Sequence, residues 1–129
     1  MLRVAAAVVL EEGRLLLVSK HAAPNVFYLP GGKPEDGEPA EDCVRRELEE
    51  ELGVTPAALE FLETVEAEAA LERVAMRMDV YRAALAGEPA PAAEIAAMTW
   101  YADGEPFAGR LAPAISGGVL PSLRRRGLV

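Results

Sequence analysis

The sequence predicts an α/β domain in which a β-sheet is covered by helices on both faces. Three observations carry that expectation. The N-terminal stretch holds short runs of small apolar and β-branched residues, one helix-length segment follows between Pro39 and Gly53, and strand-period segments return after it.

The elements follow in order. Arg3 to Leu10 and Arg14 to Lys20 are apolar runs separated by Gly13, which predicts a β-hairpin. His21 to Asn25 is polar and contains Pro24, so it reads as a loop. Val26 to Leu29 makes a short strand that delivers the chain to Pro30-Gly31-Gly32. The helix begins near Pro39, because proline suits a first helical position, and stops at Gly53, a good C-terminal cap. Phe61 to Glu68 and Arg73 to Leu85 are two more strands. The second alternates, with Val74, Met76, Met78 and Val80 on one face and Arg73, Arg77 and Asp79 on the other. Residues 83–97 are alanine-rich and broken by prolines, which predicts a loop with short helical character. Met98 to Ala102 is the last strand. Pro113 to Arg126 has helical spacing made irregular by Gly117-Gly118 and Pro121.

At 129 residues the chain is expected to be one domain, residues 1–129, able to bury a real core. Its 51% hydrophobic and 26% charged content exclude a disordered polymer. The apolar run Val4 to Leu10 is too short to cross a bilayer, and Glu11-Glu12 follow it where a signal peptide needs a cleavage site. A single cysteine, Cys43, makes no internal disulfide, so a cytoplasmic protein is expected with no membrane partner. A net charge of −8 argues against a nucleic-acid polymer as partner. It does not argue against a nucleotide, since carboxylates gathered around Mg²⁺ or Mn²⁺ reverse the local field that a phosphate feels.

The chemistry-bearing segment runs from Gly32 to Val54, GKPEDGEPAEDCVRRELEEELGV. Glu47, Glu50 and Glu51 stand at i, i+3 and i+4, so they cluster on one side of a helix. Three carboxylates packed together repel one another unless cations sit between them. Mg²⁺ takes hard oxygen ligands and keeps substrate phosphates in its shell, so such a cluster suits it. Val44, Leu48 and Leu52 make the adjoining apolar stripe, and Glu41, Arg45 and Glu49 a solvated third one. Gly31, Gly32 and Gly37 let the preceding loop turn tightly. Lys33 is a candidate phosphate contact, or a simple counter-charge to Glu35 and Asp36.

Gly32, then Glu38 after five residues, then Arg46-Glu47-Leu48-Glu49-Glu50-Glu51-Leu52-Gly53-Val54 after seven more, fills every fixed position of the Nudix box, G-x5-E-x7-R-E-U-x-E-E-x-G-U. Chance supplies that pattern less than roughly once in ten million windows, whereas the Glu- and Arg-rich helix alone reads as a solvated face. The chain therefore resembles the Nudix hydrolases, which use divalent metal to hydrolyse nucleoside diphosphates linked to another group. The resemblance implies an α/β/α sandwich with a mixed sheet. It implies Mg²⁺, with Mn²⁺ as a substitute, held by Glu47, Glu50, Glu51 and the carbonyl of Gly32. Arg46 would hold Glu38 and its neighbours in a reactive orientation. Glu94 lies six positions before Trp100, where many Nudix proteins carry a glutamate that ligates a second metal, acts as base or contacts the base of the substrate. A solvated loop carboxylate is the other reading.

The implied reaction is attack of water on a phosphorus of a pyrophosphate bridge, with Glu47, Glu50 and Glu94 as open candidates for the base. Expected substrate contacts are Gly31, Gly32, Lys33, Phe27 and Tyr28; Phe27, Tyr28, Tyr81 and Trp100 can each stack on a base or serve as core. Cys43 reads as a small core residue, His21 has no partner in sequence, and Arg124-Arg125-Arg126 suit a helix C-terminus. Ala69 and Ala70 stand where ADP-ribose hydrolases of the superfamily carry a proline. The segment Ala70-Leu71-Glu72-Arg73 lacks the tyrosine of dinucleoside polyphosphate hydrolases, and no coenzyme A signature precedes the box. By elimination the resemblance favours a MutT-like enzyme acting on nucleoside triphosphates, oxidised ones included. The alternatives are an ADP-ribose or nucleotide-sugar pyrophosphatase and a non-catalytic nucleotide sensor. The last is disfavoured because every box glutamate is present. Monomer and homodimer both fit.

Overall fold

The computed structural model describes residues 1–129. Strand β1 (Leu2–Val8) runs parallel to β7 (Ala75–Leu85), with Leu2 opposite Met76 and Val8 opposite Arg82, and antiparallel to β5 (Gly31–Gly32). Strand β6 (Pro56–Glu68) pairs antiparallel with β7 and closes this sheet in the order β5-β1-β7-β6. The sheet is mixed, as the resemblance implied.

A second sheet is built on β3 (Arg14–Lys20). Strand β8 (Ile95–Tyr101) follows one of its edges, and β2 (Leu10–Glu11) and β4 (Ala23–Tyr28) share the other. Strand β9 (Arg110–Leu111) adds to β4 in parallel.

The expected hairpin between the first two runs is confined to β2 and β3, where Glu12 (φ 52°) and Gly13 (φ 74°) take the two left-handed positions of a tight turn. β1 instead belongs to the other sheet. The reason is burial on both sides. Ala5 and Ala7 join one core with Leu16 and Val18, whereas Ala6 and Val8 join the opposite core with Leu15 and Leu17. Strands buried on both faces read as continuous apolar runs, not alternating ones, and hold central positions.

Helix α1 (Ala40–Leu52) covers the first core through Cys43, Val44, Leu48 and Leu52. Pro39 takes the N-cap position just ahead of it, and Gly53 ends it at φ 66° with its N–H on the Glu49 carbonyl at 3.0 Å. The second core is covered by a π-helical turn (Ile115–Val119) and helix α2 (Leu120–Arg125). Gly117-Gly118 fall inside the π turn. A Cβ on Gly118 would stand 2.5 Å from Val65 Cγ1, so the irregularity lets this segment press onto β6.

Several boundaries differ from expectation. β4 takes in Ala23 to Asn25, because the pairing of β3 with β4 is interrupted between Val18 and Lys20 and Pro24 falls in that irregular stretch. β6 begins at Pro56, on an exposed sheet edge where Ala57, Ala58 and Glu60 give no apolar alternation. Val74 is 49% exposed and precedes β7, so only Met76, Met78 and Val80 hold the buried face. Residues 83–85 complete β7, and β8 starts at Ile95. The short helical character expected between 83 and 97 is absent. No helix is long and apolar enough to cross a membrane.

Candidate active site

Helix α1 lies against β1 and β5, and the glycines of β5 make that approach possible. Ala5 faces Gly32 and Ala6 faces Gly31 across the pairing. A Cβ on Gly31 would collide with the Ala5 carbonyl and Ala6 Cα; one on Gly32 would lie 2.5 Å from Glu47 Oε1. The bare backbone lets Gly31 N–H donate to Glu51 Oε1 at 3.0 Å. Glu47 and Glu51 are 8% and 1% exposed, so two of the helix's carboxylates are buried against this glycine edge.

Arg46 is the hub of the neighbouring charges. Its Nε and Nη2 donate to Glu38 Oε2 and Oε1, both at 2.9 Å, and its Nη1 donates to Glu47 Oε1 at 2.9 Å. Nη2 also reaches the Lys33 carbonyl at 3.2 Å, and Glu35 lies 3.1 Å from Nε. Glu38 accepts a further bond from the Glu35 N–H at 3.0 Å. The hydrogen bonds from Arg46, then that from Glu35, hold the Glu38 carboxyl at about 2, well below its ordinary range. Cys43 is core: its thiol is pushed up to about 12, chiefly by burial, and donates to the Gly32 carbonyl at 3.5 Å.

Glu47, Glu51 and Glu94 each offer one oxygen to a group whose members lie within 4.8 Å of one another. Glu94 arrives from the loop before β8. Ala92 and Ala90 N–H donate to the Glu51 and Leu52 carbonyls at 2.9 and 3.1 Å, taking up free acceptors at the end of α1. The Glu94 carbonyl accepts from His21 N–H at 2.9 Å, so His21 contributes its backbone while its ring is in solvent. Glu50 stands outside this group. Its side chain is 54% exposed and turns to Arg46 Nη1 at 3.5 Å. Burial pushes the Glu51 carboxyl up to about 8; the charges of Glu47 and Glu94 add to this, and Gly31 N–H and Lys20 oppose it. Glu47 is also raised, chiefly by burial and against the pull of Arg46.

A cavity of about 360 Å³ opens beside these carboxylates. Its lining includes Gly31, Gly32, Lys33, Glu47, Glu94 and Lys20, and is otherwise largely apolar, with Val4, Met76 and Ile115 among the residues. Tyr28 lines it too, with a buried hydroxyl that has no partner. Phe27, expected beside Tyr28 as a substrate contact, is not in the lining. Its ring packs edge-on against Phe107, with centroids 5.3 Å apart. Tyr81 and Trp100 pack against the core under α1. Lys20 was missed in the sequence. It ends an apolar strand, and only the pairing of Lys20 with Ile95 brings it next to Glu94.

A family profile described as NUDIX domain matches residues 1–115. The chain belongs to the Nudix family. Over 71 residues this Nudix chain is 37% identical to the 8-oxo-dGTP diphosphatase of Escherichia coli (strain K12). That match covers 52% of the chain and 55% of the relative, so it spans about half the relative's length. The MutT NUDIX hydrolase from Burkholderia pseudomallei is similar in structure, with a TM-score of 0.70 and 34% identity over 81% of this chain and 86% of that one. The NUDIX domain of Shewanella oneidensis NrtR, complexed with ADP ribose, superposes with a TM-score of 0.77 over 98% and 88% of the two chains. At 24% identity that likeness shows the fold.

In Nudix terms, the box supplies Gly32, Glu38, Arg46, Glu47, Glu50 and Glu51, while Glu94 comes from the loop before β8 and Lys20 from β3. The donor set fits a divalent cation. Two buried carboxylates with raised proton affinity and a third from a loop converge on one point, all offering hard oxygens.

Proposed function

We propose that this protein is a divalent-metal-dependent, MutT-like pyrophosphohydrolase that cleaves a nucleoside triphosphate, oxidised forms included, into a nucleoside monophosphate and pyrophosphate. The observation that carries the reading is the convergence of Glu47, Glu51 and Glu94 beside a cavity that Lys20 and Lys33 also line. The similarity to an 8-oxo-dGTP diphosphatase supports the substrate class.

Glu47, Glu51 and Glu94 would hold the cation, preferentially Mg²⁺ and alternatively Mn²⁺, with Glu50 and the Gly32 carbonyl as the further ligands that the box implies. A cation bound there supplies charge neutralisation at the phosphoryl oxygens and lowers the pKa of bound water. The protein's own part is positioning. Lys20 and Lys33 draw the polyphosphate into the cavity, and the Gly31-Gly32 backbone leaves room for it. The apolar wall and Tyr28 take the base. Arg46 fixes Glu47 by one bond and Glu38 by two. Water attacks a phosphorus, the bridging oxygen leaves with the departing phosphate group, and the water proton passes to a carboxylate. Glu47, Glu50 and Glu94 remain the candidates for that base; Glu50, open to solvent beside Arg46, is placed to release a proton afterwards.

The test is turnover of a panel with Mg²⁺ and products identified by mass: nucleoside triphosphates, their 8-oxo forms, ADP-ribose, dinucleoside polyphosphates and nucleotide sugars. Monophosphate and pyrophosphate from triphosphates support the reading. Turnover limited to ADP-ribose or a sugar nucleotide overturns the substrate class, and binding without turnover overturns the activity.

A further inference from the structure

Three residues other than glycine adopt left-handed backbone conformations: Glu12, Arg73 and Ala93. The first two sit in the turns of the β2–β3 and β6–β7 hairpins, where a tight reversal explains them. Ala93, at φ 50°, turns no hairpin. It lies between Ala92, whose N–H is bound to the Glu51 carbonyl, and Glu94, whose carbonyl is bound to His21 N–H. Ile95 N–H closes the turn back on the Ala92 carbonyl at 3.0 Å. The pairing of β8 with β3 then shifts, with Ile95 opposite Lys20 but Ala97 opposite Ser19, so an extra residue follows the turn. A strained conformation persists only where its surroundings over-determine it, and such residues gather at functional sites.

We infer that Ala93 is a positioning residue for the carboxylate group: its left-handed turn, clasped to the end of α1 through Ala92, aims Glu94 at Glu47 and Glu51. The inference rests on the proposed cation site and adds how its third carboxylate is held. Glu51 joins the two parts. Its carboxylate belongs to the group, and its backbone carbonyl anchors the turn that delivers Glu94. The backbone of residues 90–95 thus carries the placement of an exposed loop side chain.

The effect is read by Mn²⁺ titration calorimetry, without substrate, on wild type, Ala93→Val, Ala93→Gly, Glu94→Gln and Ala93→Val with Glu94→Gln. A β-branched side chain is strongly disfavoured at positive φ, whereas glycine accepts it. Ala93→Val and Glu94→Gln should each weaken Mn²⁺ binding by about tenfold or more, the usual cost of disturbing a ligand's support. The double variant should bind no more weakly than Glu94→Gln alone, and Ala93→Gly should bind as wild type does. Circular dichroism checks the fold of each, and Ala93→Thr replaces Ala93→Val should the latter not fold. Unchanged binding by Ala93→Val beside weakened binding by Glu94→Gln overturns the inference alone, as do losses that add in the double variant. Unchanged binding by Glu94→Gln overturns the three-carboxylate reading and this inference with it.

Discussion

Arg46 grips Glu38 at two points, Nε to Oε2 and Nη2 to Oε1, each 2.9 Å long. The same guanidinium sends Nη1 to Glu47 at 2.9 Å, so the loop before α1 and a member of the carboxylate group share one planar cation. Lysine cannot reproduce that fork. Arg46→Lys is therefore expected to lower kcat by about 10- to 100-fold while the fold persists, as measured by steady-state kinetics beside circular dichroism.

The grip also sets an acid response. Glu38 is held at about 2 against an ordinary value of 4.5, so its charged form is favoured in the folded protein. That contribution is complete above about 4.5 and is lost as the pH falls toward 2. Thermal melts from pH 6 to pH 2 should fall less steeply for Glu38→Gln than for wild type.

Glu51 works in the opposite sense. Its carboxyl is raised from 4.5 to about 8, so the folded protein without metal binds that proton more tightly than the unfolded chain does. Stability from this group is full below about 4.5 and is lost as the pH rises through 8. The metal-free Tm should drop across that window. Mg²⁺ should restore it more at pH 8 than at pH 5, and Glu51→Gln should abolish both effects.

Two glycines separate site from scaffold. A Cβ on Gly32 would strike Glu47, and one on Gly118 would strike Val65 on the other side of the sheet. Gly32→Ala should cut kcat about 10- to 100-fold by displacing a supported carboxylate. Gly118→Ala should cost about 1–3 kcal/mol in denaturant unfolding with kcat unchanged.

Lys20 and Lys33 both line the cavity, and the charge of Lys20 pulls on the Glu51 carboxyl. Lys20→Met should raise KM for a polyphosphate substrate, more at low ionic strength, where the attraction is less screened.

The sequence disclosed the parts of the site that lie within one helical turn of one another. Glu47 and Glu51, four residues apart, do share the face toward Gly31 and Gly32, and Arg46 does hold Glu38. Spacing alone placed Glu50 with them, but in the structure it turns out toward Arg46. Glu94 was legible as a candidate through its distance from Trp100, while its meeting with Glu51 depends on backbone bonds between residues 90–92 and the end of α1, which no local pattern announces. Lys20 was illegible for the same reason: its role comes from strand pairing across the chain. The misplaced first hairpin has another origin. A strand buried on both faces and one half of a hairpin look alike in a short apolar run, and only the partners of β1 tell them apart.

Metal-dependent catalysis by the carboxylate group is tested most directly by hydrolysis of a nucleoside triphosphate by wild type and Glu51→Gln, each with EDTA and then with excess Mg²⁺. No turnover in EDTA, full recovery for wild type on adding Mg²⁺, and none for a folded Glu51→Gln are the expected results. Undiminished turnover in EDTA, or wild-type kcat from Glu51→Gln, would contradict it.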